Sequence, residues 1–241
     1  PSNSSRQSFT VTFSEVVKNF GSASDLLFTP TGSVTFVSAW FTGNGSVYTL
    51  LVDGVEGDGT LSLGVNTISD VVDAVGNPLA VSGSSDPVTI DFSGPEVTVN
   101  SIVTNDSTPL LSGLIDDLSA TILVSVSDQL DIVATNNGDG TWSVADDVLI
   151  ALGDDVYEVV VQAEDSIGNV GTDSTTEELT IDTLSPTIVI GEPSVMESSE
   201  GPVDFEIEYV GESVVTLESA DITINTTGTA VADMVSILNT K

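Results

Sequence analysis

One segment of this chain is written twice, and that limits what the chain can fold into more than any other feature. Residues 165–186 read DSIGNVGTDSTTEELTIDTLSP, and residues 73–95 read DAVGNPLAVSGSSDPVTIDFSGP. Each opens on D-x-x-G-N, passes through a polar loop, rises into a short apolar strand and closes on I-D-x-x-x-P. The closing aspartates, Asp91 and Asp182, lie 91 residues apart, as do the prolines Pro95 and Pro186. A period of that length is a whole module rather than one turn of a solenoid, so the chain is a string of domains. The repeated segment is the last hairpin of a module together with the linker to the next, which puts the interest of the molecule at its joints.

A length of 241 residues allows one to three domains, and a hydrophobic content of 40% supports packed cores rather than disorder. Only 3 Lys and Arg stand against 37 Asp and Glu, a formal charge of −34. No basic patch is available to meet phosphate, so nucleic acid and anionic membrane surfaces are not expected partners. Cations are. Histidine and cysteine are both absent, which removes the common zinc, copper and haem ligands, the Ser-His-Asp and Cys-His constellations, and disulfides. A calcium ion held by oxygen ligands is the natural substitute for a disulfide staple. No apolar run approaches the ~20 residues that span a bilayer, and the sequence shows no signal peptide. It opens and stops in mid-pattern and reads as a piece of something longer.

Three units follow from the repeat. In the first, residues 1–92, Phe9, Val11 and Phe13 alternate with polar neighbours, the period of a half-buried strand. Further strands are expected at 33–40, 47–52, 60–65 and 88–90, with turns at 19–21 and 29–32. Residues 69–75 could hold one helical turn at most. The second unit, 93–184, predicts seven strands: 96–103, 109–115, 120–127, 130–135, 141–144, 156–164 and 175–181. A tight hairpin at 137–140 precedes Trp142. Seven short strands in such a span indicate an immunoglobulin-like sandwich, with Trp142 and Trp40 as packing residues. Residues 185–241 begin a third unit that lacks the D-x-x-G-N hairpin. The expected class is all-β: tandem immunoglobulin-like sandwiches in an extended rod.

The stretches DGTWSV at 139–144, AEDSIGNV at 163–170 and LTIDTLSP at 179–186 resemble the bacterial immunoglobulin-like repeats of large cell-surface adhesins, which often carry RTX segments as well. VTFSEVVKNF at 11–20 with DAVGNP at 73–78 resembles a sister subtype. No glycine-rich RTX nonapeptide run is present. The resemblance implies a secreted, cell-surface stalk whose calcium ions, set between repeats, stiffen the rod. Its partners would then be calcium and the neighbouring repeats of the same chain, with any host or surface ligand met by other regions.

Topology predicts which acids meet. In an immunoglobulin sandwich the loops after the second and sixth strands share the end at which the chain arrives. Those loops hold Asp116 and Asp117, and Asp165 with Asn169; the arriving linker holds Asp91. Asp91, Asp116, Asp117 and Asp165 should therefore converge on the first joint, where calcium takes six to eight oxygens and Pro95 stiffens the chain just beyond. Asp182 would serve the second joint with Glu212, and Asp73 with Asn77 would face a preceding repeat. D-x-x-G-N is also a good turn in its own right, Asp capping the backbone and Gly supplying a positive φ. Asp58 and Asp139, in Gly-Asp-Gly turns, read as hairpin residues rather than ligands.

Three other functions compete with the stalk. A sugar- or host-protein-binding module would need clustered aromatics, which make up only 5% of the chain. A surface-layer protein of a halophile would answer to salt in general. No motif selects a carboxylate pair for catalysis, and an enzyme is not expected.

Overall fold

Alternation builds the first sheet. Strand β1 (Arg6–Thr12) buries every second side chain at its start and pairs antiparallel along its whole length with a later strand of the same first core. The computed structural model describes residues 1–66, 70–80, 83–196, 202–210, 217–228, 231 and 235–237. The chain divides into two units, Pro1–Asp182 and Thr183–Lys241, and the first contains two separate hydrophobic cores.

Around the first core run β1, β2 (Val17–Lys18), β3 (Leu26–Pro30), β4 (Ser38–Asn44), β5 (Val47–Asp53), β6 (Gly59–Val65), β7 (Val72–Asp73) and β8 (Val88–Ile90). The sheet β4-β5-β1 faces the sheet β3-β6-β8, and β2 pairs with β7 at one end. Phe9, Tyr48, Leu50 and Val52 from one sheet meet Leu26, Leu61, Leu63 and Ile90 from the other. Phe20 closes the β2–β7 end, its ring edge-on to Phe13, Phe41 and Tyr48 at 4.8–5.1 Å from centroid to centroid.

Three expectations change here. The run 33–40 is not one strand. Ser33, Thr35 and Val37 donate instead to the carbonyls of Asp58, Glu56 and Asp53. The step from Glu56 to Asp53 spans Gly54, at φ +69°, which bends the partner and breaks a regular ladder. Thr29 and Pro30 are not a turn but the end of β3, where proline's missing N–H is tolerated; the turn falls one step later, at Gly32. Of the single helical turn allowed at 69–75, residues 72–73 are the strand β7 instead, and residue 69 lies outside the described residues.

The second core is built by β9 (Val97–Val99), β10 (Ile102–Thr104), β11 (Leu111–Ile115), β12 (Thr121–Val126), β13 (Gln129–Val133), β14 (Thr135–Asn136), β15 (Thr141–Val144), β16 (Asp155–Tyr157), β17 (Val159–Glu164), β18 (Val170–Thr172) and β19 (Leu179–Ile181). Three sheets enclose it, β14-β15-β11-β9, β13-β12-β17-β18 and β10-β19-β16. Trp142 lies at the centre with no exposed surface, its indole N–H donating to the Thr98 carbonyl at 2.9 Å.

Besides 130–135, which divides between β13 and β14 in different sheets, two expected strands are each two. Residues 96–103 give β9, antiparallel to β11, and β10, parallel to β19, so the chain changes sheet between them. Residues 156–164 likewise give β16 and β17, which belong to different sheets. At the second change the buried Glu178 carboxylate accepts the Val159 N–H at 3.0 Å, replacing a ladder bond that the switch removes. Strand β18 was not expected; it follows the D-x-x-G-N loop directly and makes that loop a hairpin turn, with Glu164 opposite Val170.

In the second unit β20 (Thr187–Ile190) pairs antiparallel with β21 (Ile207–Val210), and a 3-10 turn spans Ser219–Asp221. All four side chains of β20 are exposed.

Candidate functional site: the joint between the first two sandwiches

The two D-x-x-G-N loops fold the same way. In the first, the Asp73 carboxylate accepts the N–H groups of Val75, Gly76 and Asn77 at 2.7–2.9 Å and the Asn77 side-chain amide at 2.7 Å. In the second, the Asp165 carboxylate accepts the N–H groups of Ile167 and Asn169, both at 2.9 Å, and the Asn169 amide at 2.9 Å. The backbone closes alike, Asp73 N–H on Asn77 O at 2.9 Å and Asp165 N–H on Asn169 O at 3.0 Å. Gly76 and Gly168 sit at φ +100° and +91°, where a side chain would strain the turn.

What differs is the surroundings. Asn77 is exposed. Asn169 is 8% exposed, and its amide also donates to the Asp91 carbonyl at 3.1 Å. Asn3, at the start of β1's sandwich, donates to Ile167 O at 2.7 Å and to Asn169 Oδ1 at 3.3 Å. The second loop is thus a socket that grips the exit strand and the first residues of the preceding sandwich through neutral amides.

The linker is held from both sides. Asp58 Oδ1 accepts the Phe92 N–H at 2.6 Å and Oδ2 accepts the Ser93 hydroxyl at 2.6 Å. Asp91 N–H donates to Ser2 O at 3.0 Å. Beyond it Gly94 lies on the backbone of Val170, and Gly171 on the Pro95 carbonyl, so closely that a methyl at either glycine would overlap main chain. Asp116 Oδ1 accepts the Glu96 N–H at 2.8 Å, tying the loop after β11 to the start of β9. Asp117 turns to its own loop, where it accepts the Ser119 N–H and hydroxyl at 2.8 and 2.7 Å.

Of the residues singled out in the sequence, Asp91, Asp165 and Asn169 meet in one hydrogen-bonded network, while Asp116 bonds separately to Glu96 at the end of the same linker. Asp182 lies at the far end of the second sandwich, with its N–H on Thr104 O at 2.9 Å. Asp73 lies at the far end of the first sandwich, beside β2. Glu212 is outside the described residues. Among the described residues no three acidic side chains are close enough to share a metal ion. The oxygens are of the type calcium takes, but here they are engaged with N–H and O–H donors rather than gathered into a cage.

These bonds set the charge states. Ser93 and the Phe92 N–H hold the Asp58 carboxyl below the ordinary value, and the Asn77 N–H and side chain do the same for Asp73. At Asp165 burial pulls upward, yet the donors from Asn169 and Ile167 together outweigh it and the carboxyl is also held low.

Sequence reasoning missed Asn3 and gave Asp58 only a hairpin role. Nothing local marks Asn3; Asp58 carried a signal in its Gly-Asp-Gly turn, but the turn alone does not say that its carboxylate reaches a linker 34 residues on.

The sandwich around Trp142 is similar to a known class of module. The family profile of the bacterial Ig-like domain matches residues 93–183. Domains of that family are structural, and are typically found in extracellular or surface proteins. The comparison with curated proteins gave no match. Among the described residues no helix is long and apolar enough to cross a membrane, which leaves β-barrels aside.

Proposed function

We propose that this chain is an extender segment of a bacterial cell-surface adhesin, in which immunoglobulin-like sandwiches stand in tandem as a rod and calcium at the joints stiffens it. One observation carries the reading: Asn169, in the loop of one sandwich, binds the Asp91 carbonyl, just past the last strand of the sandwich before it. A joint made by backbone and amide contacts, with close glycine packing between the linker and β18, suits a part whose task is to hold two domains at a set angle.

Calcium would act on that joint by drawing in Asp91, Asp116, Asp117 and Asp165, with Asn169 as a neutral oxygen donor. The chain's charge of −34 favours any divalent cation, and crowded carboxylates repel one another until a cation joins them. Asp182 and Asp73 would serve further joints in the same way. Melting the full chain in calcium and in EGTA tests the metal part: calcium should raise the midpoint well beyond sodium at matched ionic strength. Identical curves would remove calcium from the reading and leave the joint to its hydrogen bonds.

A further inference from the structure

Tension on a chain of domains enters each domain at its first strand and leaves at its last. In the second sandwich the chain arrives through β9, changes sheet at Asn100-Ser101 and runs on as β10, which pairs in parallel with β19, the last strand. The register sets Ile102 beside Leu179 and Thr104 beside Ile181. At one end of this ladder the Ile102 N–H donates to the Glu178 carbonyl at 2.7 Å, and at the other the Asp182 N–H donates to the Thr104 carbonyl at 2.9 Å. The strand that enters the core and the strand that leaves it are bonded directly to each other.

Because the two strands are parallel, a pull on the chain draws β10 by its start and β19 by its end, in opposite directions along one axis. The bonds of a parallel ladder are evenly spaced along that axis. Sliding therefore strains them together, whereas peeling from one end takes them one at a time. The line of force also bypasses the rest of the module: residues 105–178, with Trp142 and most of the buried core, form a loop that the ladder closes. The ladder itself is well seated. Leu179 and Ile181 are buried, β19 pairs with β16 on its other side, and Glu178 joins the start of β10 to another sheet, its carbonyl taking Ile102 and its buried carboxylate taking the Val159 N–H at 3.0 Å.

We propose that the β10–β19 ladder is the load-bearing element of the second sandwich: it holds the module closed under tension by resisting shear, and the core behind it carries no load until the ladder fails. That such tension acts on the molecule rests on the extender function proposed above. How the ladder answers it is a property of this strand order and needs no metal.

Single-molecule force spectroscopy on the full chain in EGTA tests this. The chain has no cysteine, so a pair of introduced cysteines gives unique attachment points. Ser101→Cys with Leu184→Cys loads the ladder in shear; Asn105→Cys with Leu184→Cys grips both strands at one end and peels it. All three positions are exposed. The first pair should need at least ~2-fold more force, because bonds strained together share the load. It should then release the enclosed stretch in one step of roughly 260 Å, at about 3.4 Å per residue. Ile102→Pro, on an edge strand where proline is tolerated, removes the N–H to Glu178 and should lower the shear force while the peeling force changes little. Val124→Ala, in the enclosed core, should lower the urea midpoint yet leave the shear force as it is, since its contacts are still intact when the ladder breaks. If Ile102→Pro unfolds, the two attachment geometries decide. Equal forces for the two pairs, or a Val124→Ala chain that fails as easily as Ile102→Pro, would overturn the proposal and leave the extender function to its own calcium test.

Discussion

The side-chain amide of Asn169 donates to the carbonyl of Asp91 at 3.1 Å while also closing on Asp165 at 2.9 Å. One side chain therefore completes a turn and joins two domains. Its counterpart Asn77 makes the turn alone. The pair is a built-in comparison between two D-x-x-G-N loops, one of which also grips Asp91 and Asn3.

Asn169→Ala should accordingly cost more than Asn77→Ala. The first removes the bonds to Asp91, Asp165 and Asn3 and leaves acceptors in a poorly hydrated joint; at roughly 0.5–1.5 kcal/mol per net bond, about 2 kcal/mol is expected. The second breaks one exposed bond and should cost about 1 kcal/mol or less. Trp40 is not the core residue its sequence suggests but lies exposed on β4 under the Arg6 guanidinium; because it and Trp142 lie in different sandwiches, fluorescence-followed urea melts in Trp40→Phe and Trp142→Phe backgrounds report each sandwich separately. Equal losses for the two Asn variants would mean that the joint bond adds nothing.

Gly113→Ala probes the packing of β9. A methyl there would overlap the Thr98 carbonyl and crowd the Trp142 indole nitrogen at 2.5 Å, so β9 must lift or Trp142 must give up its bond to Thr98. Overpacking of this kind costs about 1–3 kcal/mol. Gly83, where an added methyl would meet nothing within 4 Å and the φ is not positive, is the control, and Gly83→Ala should be near neutral. Calorimetry distinguishes the two, and a neutral Gly113→Ala would show that β9 is not held tightly over Trp142.

Acid should weaken both the joint and the Asp73 loop. Asp58, Asp73 and Asp165 are held below the ordinary aspartate value of 3.8 by the donors around them. A folded-state value below the unfolded one adds stability that is complete above the unfolded value and disappears as pH falls through the folded one. Stability should therefore be level near neutrality and drop below about pH 4, and Asp73→Asn should flatten part of that drop. Asp146 works the other way: burial, then the nearby Asp106 and Asp147, raise its value, so its ionisation opposes folding as pH rises. Asp146→Asn should stabilise the chain at pH 7, as read by its unfolding midpoint.

Salt and calcium should act differently. With one ion pair among the described residues, Arg6 to Asp53 at 2.7 Å, the acidic surface repels itself and any salt will help by screening. Calcium at 100 times its dissociation constant should add about 2.7 kcal/mol beyond that. The double variant Asp116→Asn with Asp117→Asn should keep the salt response and lose most of the calcium response. A calcium response that survives in the variant would move the ion elsewhere.

Much of the strand pattern is legible because burial in a sandwich imposes a period of two. The strands at 141–144 and 88–90 have the bounds expected from the sequence, and Val159, Val161 and Ala163 alternate into the core as their spacing requires. The sheet changes near residues 100 and 158 are not legible. Each falls at polar residues, Asn100-Ser101 and Glu158, of a kind that the exposed face of one continuous strand would also carry, and what divides the strand is a partner far along the chain: β19 for the first, Glu178 for the second. The gathering of Asp91, Asp165 and Asn169 can be anticipated from topology, since the loops after the second and sixth strands share an end. The roles of Asn3 and Asp58 cannot, because each is defined by a contact across the joint.

By itself the sequence determined the all-β class, the repeat and its linkers, the two D-x-x-G-N turns and the strongly anionic surface, since period, turn chemistry and charge are local or additive properties. Only the tertiary structure decided what the loop at 165–169 grips and which carboxylates are already occupied by N–H donors. Those depend on what a residue meets from elsewhere in the chain, and two copies of one motif carry no record of their different neighbours.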